Sequence, residues 1–215
     1  MNTIQSEQLA TKIATQLLEI KAIKLSPENH FQWSAGWNSP IYCDNRKSLS
    51  YPALRSTIAS GLAQLIQDKF PEASAISGVA TAGIAHGALA ANELELPFSY
   101  VRSKAKGHGL QNQIEGEIAQ GAKVVMVEDL ISSGKSTLEA IEALHQQDIE
   151  VLGTVAIFTY GFQHASDSFT EKKQAFYTLL DYQKLIEIAV EKHYVNSDQL
   201  ASLQEWRQAP EKWKK

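Results

Sequence analysis

Apolar residues recur every four positions after Ser6, at Leu9, Ile13 and Leu17, a spacing that predicts an amphipathic opening helix capped by that serine. A second stripe, Leu54, Ile58, Leu62, Leu65 and Ile66, follows Ser50 with Pro52 just inside its start and predicts a helix ending near Pro71. The segment between them, SPENHFQWSAGWNSPIYCDNR (26–46), is full of turn formers and reads as a loop. From residue 75 the pattern changes. AISGVA (75–80), FSYVR (98–102), KVVMVED (123–129), VLGTVAIFTY (151–160) and FYTLL (176–180) read as strands. Residues 83–95, 134–147, 181–192 and 197–208 read as helices, the last opening on a capping serine.

Apolar strands separated by helices belong to a parallel sheet, because a parallel pair needs a crossover and the crossover helices cover both faces. The expected fold class is α/β, an open, mostly parallel sheet flanked by helices. Residues 1–50 are expected to form a small N-terminal hood, and 51–215 the α/β core with its C-terminal helices, as one structural unit.

Composition removes several functions. Lys+Arg 20 against Asp+Glu 24 gives a net charge of -4, so nothing draws the whole surface to nucleic acid or anionic lipid, and any anion site must be local. Cys43 is the only cysteine, which excludes an intrachain disulfide and a multi-cysteine metal centre and fits a reducing cytoplasm. The first twenty-two residues contain no continuous apolar run of the kind a secretory signal or membrane span requires. His30, His86, His145, His164 and His193 lack metal-ligand spacing and are expected to be structural or exposed.

The densest chemistry lies in Val124–Thr137, VVMVEDLISSGKST. An apolar strand ends in Glu128 and Asp129, and a Ser/Gly/Thr loop then opens a helix, at the strand end where open α/β sheets bind ligands. Backbone N–H groups at the start of that helix can converge on a phosphate, with hydroxyls from Ser132, Ser133, Ser136 and Thr137. GKST is not an ATP-binding P-loop, since that pattern needs glycine where Asp129 stands. Two adjacent carboxylates suit vicinal sugar hydroxyls and positive charge growing on a ring carbon.

A second basic stretch, YVRSKAKGHG (100–109), packs Arg102, Lys104, Lys106 and His108 beside two glycines. With the polar LQNQIEGEIAQGAK after it, it predicts a flexible loop of roughly twenty residues. Cations on a closing loop would stabilise a departing pyrophosphate and exclude water. The stretch FQWSAGWNSPIYCDNR (31–46) offers aromatic faces and a cation, suited to a flat anionic ring.

The acid pair with its loop resembles the phosphoribosyl pyrophosphate (PRPP) motif of the type I phosphoribosyltransferases. The basic loop and SPIYCDNR resemble the orotate phosphoribosyltransferases, with VRSKAKGHG closest to the Gram-positive-type bacterial variant. The likeness runs from about residue 10 to 165. It implies that Glu128 and Asp129 hold the ribose hydroxyls and that Leu130, Ile131, Ser132, Ser133, Gly134, Lys135 and Ser136 cradle the 5'-phosphate. Thr81, in GVATAGI (78–84), would contact pyrophosphate. It further implies that Arg102, Lys106 and His108 reach the pyrophosphate from the neighbouring subunit of a homodimer, with Lys106 the main catalytic cation.

On the same resemblance Tyr42, Cys43 and Asp44 line the orotate pocket, Arg46 meets the carboxylate and Ser132 also touches orotate. Mg2+ would be bound mainly through PRPP. Ser34, Ala82 and the segment TYGFQHAS (159–166) depart from relatives that carry lysine or arginine there. Two other functions stay open at this point. SPIYCDNR argues against a purine base, and the intact KAKGHG argues against a PRPP-sensing regulator or an RNA-binding relative of the fold.

Overall fold

The computed structural model of the protein describes residues 3–33, 36–103 and 113–214. Helix α1 (Thr3–Glu19) leads into β1 (Ile23–Leu25), β2 (Phe31–Gln32), β3 (Asn38–Ser39), β4 (Ile41–Cys43) and a 3-10 turn at Asn45–Ser50. The core then runs α2 (Pro52–Lys69), β5 (Ala75–Val79), α3 (Ala82–Leu94), β6 (Phe98–Val101), β7 (Ile114–Glu115) and β8 (Lys123–Ile131). It finishes with α4 (Lys135–His145), β9 (Glu150–Thr159), α5 (Gln163–Glu171), β10 (Phe176–Asp181), α6 (Tyr182–Glu191) and α7 (Ser197–Gln208).

Six strands form one sheet in the order β10-β9-β8-β5-β6-β7. All neighbours are parallel except β7, which runs antiparallel to β6. Period-two alternation along β8 divides the core between the two faces. Val125 and Val127 pack with residues of α1, α2, α3 and α6, while Val124 and Met126 pack with α4 and with Ala165 and Phe169 of α5. The α/β class and mostly parallel sheet expected from the sequence are therefore present. Among the described residues no helix is long and apolar enough to cross a membrane.

Four expectations need correction. Ser6 does not cap α1, which already begins at Thr3, because the polar residues before it are themselves acceptable helix formers. β8 does not stop at the acid pair but continues to Ile131, held by pairing of Leu130 and Ile131 with Phe158 and Thr159 of β9. The stretch after residue 112 is not all loop, since Ile114 and Glu115 add an antiparallel edge strand. The helix α5 was not foreseen. Its sequence, QHASDSFTE, buries only Ala165 and Phe169, too few for a readable stripe.

The hood is two small antiparallel pairs, β1 with β4 and β2 with β3. It is fastened from the C-terminal end of the chain. Trp33 packs edge-on against Trp206 of α7 at 5.5 Å between ring centres, Lys214 Nζ donates to the Pro27 carbonyl at 2.6 Å, and Asn38 Nδ2 donates to the Lys214 carbonyl at 2.5 Å.

Candidate active site

The strand order reverses between β5 and β8. From β5 the chain crosses to β6 on one side, and from β8 it crosses to β9 and β10 on the other. The two crossovers leave by opposite faces, so a crevice opens beyond the carboxyl ends of this central pair. The expected ribose-phosphate residues fall at the end of β8, and Thr81 follows β5 immediately.

Glu128 is 5% exposed. One of its carboxylate oxygens accepts the Asp129 amide at 3.0 Å and the other accepts the Thr137 hydroxyl at 3.3 Å. Burial first, then the charge of Asp129, pushes the Glu128 carboxyl well above the usual range. Asp129 is half-buried and is also raised, chiefly by burial. The two acids thus differ. Glu128 is engaged inward and braces the first turn of α4, while Asp129 is the more accessible carboxylate for a sugar hydroxyl.

Gly134 makes the turn from β8 into α4 at φ +77°, and a side chain there would bring Cβ to 2.5 Å from the Phe169 ring. The turn needs glycine for its left-handed backbone and because the unforeseen α5 presses against it. First-turn amides of an α-helix have no acceptor within the helix, so those of Ser136 and Thr137 offer donors to an anion, while that of Lys135 reaches Ser133 Oγ at 3.4 Å. Ser133, Lys135 and Ser136 are exposed, and Ser132 and Leu130 are half-buried. Ile131 is fully buried, and its carbonyl accepts the Thr159 hydroxyl at 3.0 Å, so its part is structural. The Lys135 ammonium leans along its own helix toward Glu139, 3.8 Å away.

Thr81 is exposed at the N-terminus of α3 after a cis Ala80–Thr81 bond. Behind it, α3 lies directly on β8: a Cβ on Gly83 would fall 2.3 Å from the Val127 carbonyl oxygen. A small cleft lined by Val79, Ala80, Arg102, Gln113 and Ser136 joins this turn to the start of α4. Arg102 therefore borders the same crevice as the phosphate loop. Its guanidinium is 3.4 Å from the Glu115 carboxylate, and its amide donates to the Gln113 carbonyl at 2.8 Å. Lys104, Lys106 and His108, and Ser34 in the hood, lie outside the described residues.

The hood supplies the remaining candidates. Tyr42 is 39% exposed, Cys43 half-buried, and Asp44 accepts from Arg46 Nε at 2.6 Å. That bond, before the lesser charge effects, holds the Asp44 carboxyl below its usual range. Burial, and then Asp129 and Asp44, pushes the Cys43 thiol well up, so it stays protonated and donates to Asn45 Oδ1 at 3.3 Å. Arg46 is thus not free while this pair holds.

Asn45 was missed by sequence reasoning. Its side chain is fully buried and its amide donates to the Asp129 carbonyl at 2.8 Å, joining the hood to the acid strand. In the run Asp44-Asn45-Arg46 the charged neighbours were the more visible residues. Tyr160 was also missed. It follows β9, 2% exposed, with the Trp33 ring of the hood 5.0 Å from its own. Its place in an apolar run marked it only as core.

Comparison with known proteins identifies the family of the chain and its fold. The sequence profile of the phosphoribosyl transferase domain matches residues 49–191. An orotate phosphoribosyltransferase from Cytophaga hutchinsonii is 52% identical over 204 residues, covering 95% of this chain and 98% of that protein. One from Staphylococcus aureus is 53% identical over 199 residues, covering 93% and 98%. The crystal structure of orotate phosphoribosyltransferase from Aeropyrum pernix superimposes with a TM-score of 0.74 at 26% identity, covering 86% of this chain and 99% of that one.

Proposed function

The chain belongs to the phosphoribosyl transferase domain family and, within it, to the orotate phosphoribosyltransferases, and we propose from that footing the reaction its crevice carries out. It transfers the 5-phosphoribosyl group of PRPP to orotate, giving orotidine 5'-monophosphate and pyrophosphate, a step of pyrimidine nucleotide synthesis. The observation that carries the reading is the juxtaposition at the β5/β8 crevice. The acid pair and the Gly134 turn of β8–α4 lie directly beneath a hood gripped by Asn45.

The residues divide the work. Amides from Ser132 to Thr137 and the hydroxyls of Ser132, Ser133 and Ser136 hold the 5'-phosphate; the Thr137 hydroxyl, expected among them, is buried and donates to Glu128 instead. Asp129, backed by Glu128, accepts from the ribose hydroxyls and stabilises positive charge as the bond from ribose C1 to pyrophosphate lengthens. The orotate ring nitrogen, positioned by the hood, then forms the new bond to C1. No protein nucleophile is needed, and catalysis rests on position and charge. Lys106 and His108 stabilise the leaving pyrophosphate from a partner subunit, so the active species is a homodimer; Arg102, expected to reach across with them, borders its own chain's crevice and acts there. The cytoplasm is its site of action.

The residues fit a magnesium ion that arrives with its substrate. Asp129 is a half-buried carboxylate at the crevice that would face an ion held by the substrate. Bound through PRPP, Mg2+ would supply charge neutralisation on the pyrophosphate.

The test is the loss of orotate absorbance on mixing protein with PRPP and Mg2+. Loss that requires PRPP and is suppressed by orotidine 5'-monophosphate, but not by adenine or guanine, is the expected result. Turnover of a purine, or PRPP binding without turnover, would overturn it.

A further inference from the structure

Tyr160 stands between the hood and the acid strand. Its amide donates to the Ile131 carbonyl of β8 at 3.3 Å, and its own carbonyl accepts from Arg207 Nε of α7 at 3.4 Å. The ring is walled by Trp33, Phe158, Phe162 and Trp206, with centroids 5.0, 5.2, 5.4 and 5.6 Å away. Trp33 in turn donates Nε1 to the Ile41 carbonyl, next to Tyr42. The ring is therefore held by packing.

A buried tyrosine hydroxyl ordinarily finds a partner. This one makes no hydrogen bond with any described residue, yet it is not among the polar atoms sealed from solvent without a partner. Its oxygen is thus the part of an otherwise enclosed residue that reaches open space. Burial, and then the charges of Cys43, Asp129, Tyr182 and Tyr42, keep the phenol protonated far above neutral pH. Trp33 belongs to the hood, and Ile131, whose carbonyl holds the Tyr160 amide, ends the strand that carries Asp129, so Tyr160 sits where the hood meets the acid strand. The hood cation Arg46 is already tied to Asp44.

We propose that the Tyr160 hydroxyl is a specificity-determining donor that recognises the carboxylate of the pyrimidine acid. The inference rests on the functional reading above and deepens it. A rigid neutral donor binds a carboxylate without a competing counter-ion and leaves an uncharged base with an unfilled contact.

The experiment compares wild type with Tyr160→Phe, which keeps the ring and its packing. Wild-type turnover of orotate is measured first, and its absence would sink the functional reading itself. Binding of orotidine 5'-monophosphate and of uridine 5'-monophosphate, which lacks only the carboxylate, is then followed by tryptophan fluorescence. In the variant, affinity for orotidine 5'-monophosphate should fall, and the KM for orotate rise, by on the order of tenfold or more, the usual effect of deleting a hydrogen bond to a charged group. Uridine 5'-monophosphate affinity and the KM for PRPP should stay within about twofold, below the weight of one such bond. Equal loss for both nucleotides would reduce Tyr160 to a packing residue. No loss for either, with the wild type active, would overturn the inference alone.

Discussion

The side-chain amide of Asn45 donates to the main-chain carbonyl of Asp129 at 2.8 Å, so the hood is hydrogen-bonded to the strand carrying the acid pair. The same side chain accepts the Cys43 thiol, and the Ser48 hydroxyl donates to the Asn45 carbonyl at 2.6 Å. Asn45→Ala leaves a buried carbonyl and a thiol without partners, at a cost of about 1–3 kcal/mol. Thermal unfolding should show a Tm lower by several degrees. Steady-state kinetics should show the orotate KM rising more than that for PRPP, because the hood shifts while the phosphate loop does not.

Gly134 meets two separate demands, a left-handed backbone and contact with Phe169. Gly134→Ala should lower stability by roughly 1–3 kcal/mol and raise the KM for PRPP, since the loop must move to clear the ring. Adding Phe169→Leu removes the collision and leaves the backbone strain. The double variant should recover part of the Tm and little of the PRPP affinity, which paired melting curves and KM measurements will show.

What could be read from the sequence was local. Glu128, Asp129 and the Gly134 turn are consecutive and follow an apolar strand, so their order alone indicated a ribose-phosphate site. What escaped it depends on distant contacts. Asn45 matters because it meets Asp129, Trp33 because it packs on Tyr160 and Trp206, and Phe169 because it meets Gly134. The C-terminal segment, without recognisable motifs, holds the hood through Trp206 and Lys214. Short strands such as β2 and β3, two residues each, leave no periodic trace at all.

Asp129 and Glu128 are adjacent carboxylates in a poorly hydrated crevice, and burial raises both. Keeping them ionised at neutral pH therefore opposes folding, an opposition that grows as pH rises through the folded-state values. Asp129→Asn removes one charge with little change of shape. It should cut turnover sharply and yet raise stability by about 1 kcal/mol, or a few degrees of Tm for a chain of this size. Calorimetry at pH 7.5 beside the orotate assay would show both effects. A lower Tm would mean that Asp129 is held by contacts that outweigh the repulsion.

His86 titrates with the opposite sign. It is 1% exposed on α3, both ring nitrogens lack a hydrogen-bond partner, and burial pulls its pKa down to about 4. The unfolded chain takes up this proton near 6.5 and the folded chain only near 4, so the unfolded state binds more protons between those values. Above pH 6.5 the residue contributes no pH dependence. Below it, stability falls by about 1.4 kcal/mol per pH unit. His86→Leu, close in volume and without a titrating group, should remove that slope. Urea unfolding at pH 7.5 and pH 5.0 should show the wild type losing about 2 kcal/mol more than the variant. Protonation of Glu128 and Asp129 cannot mimic the loss, because carboxyls raised by burial stabilise the folded state as pH falls. Equal losses in the two proteins would therefore mean that His86 finds a partner for its proton inside the fold.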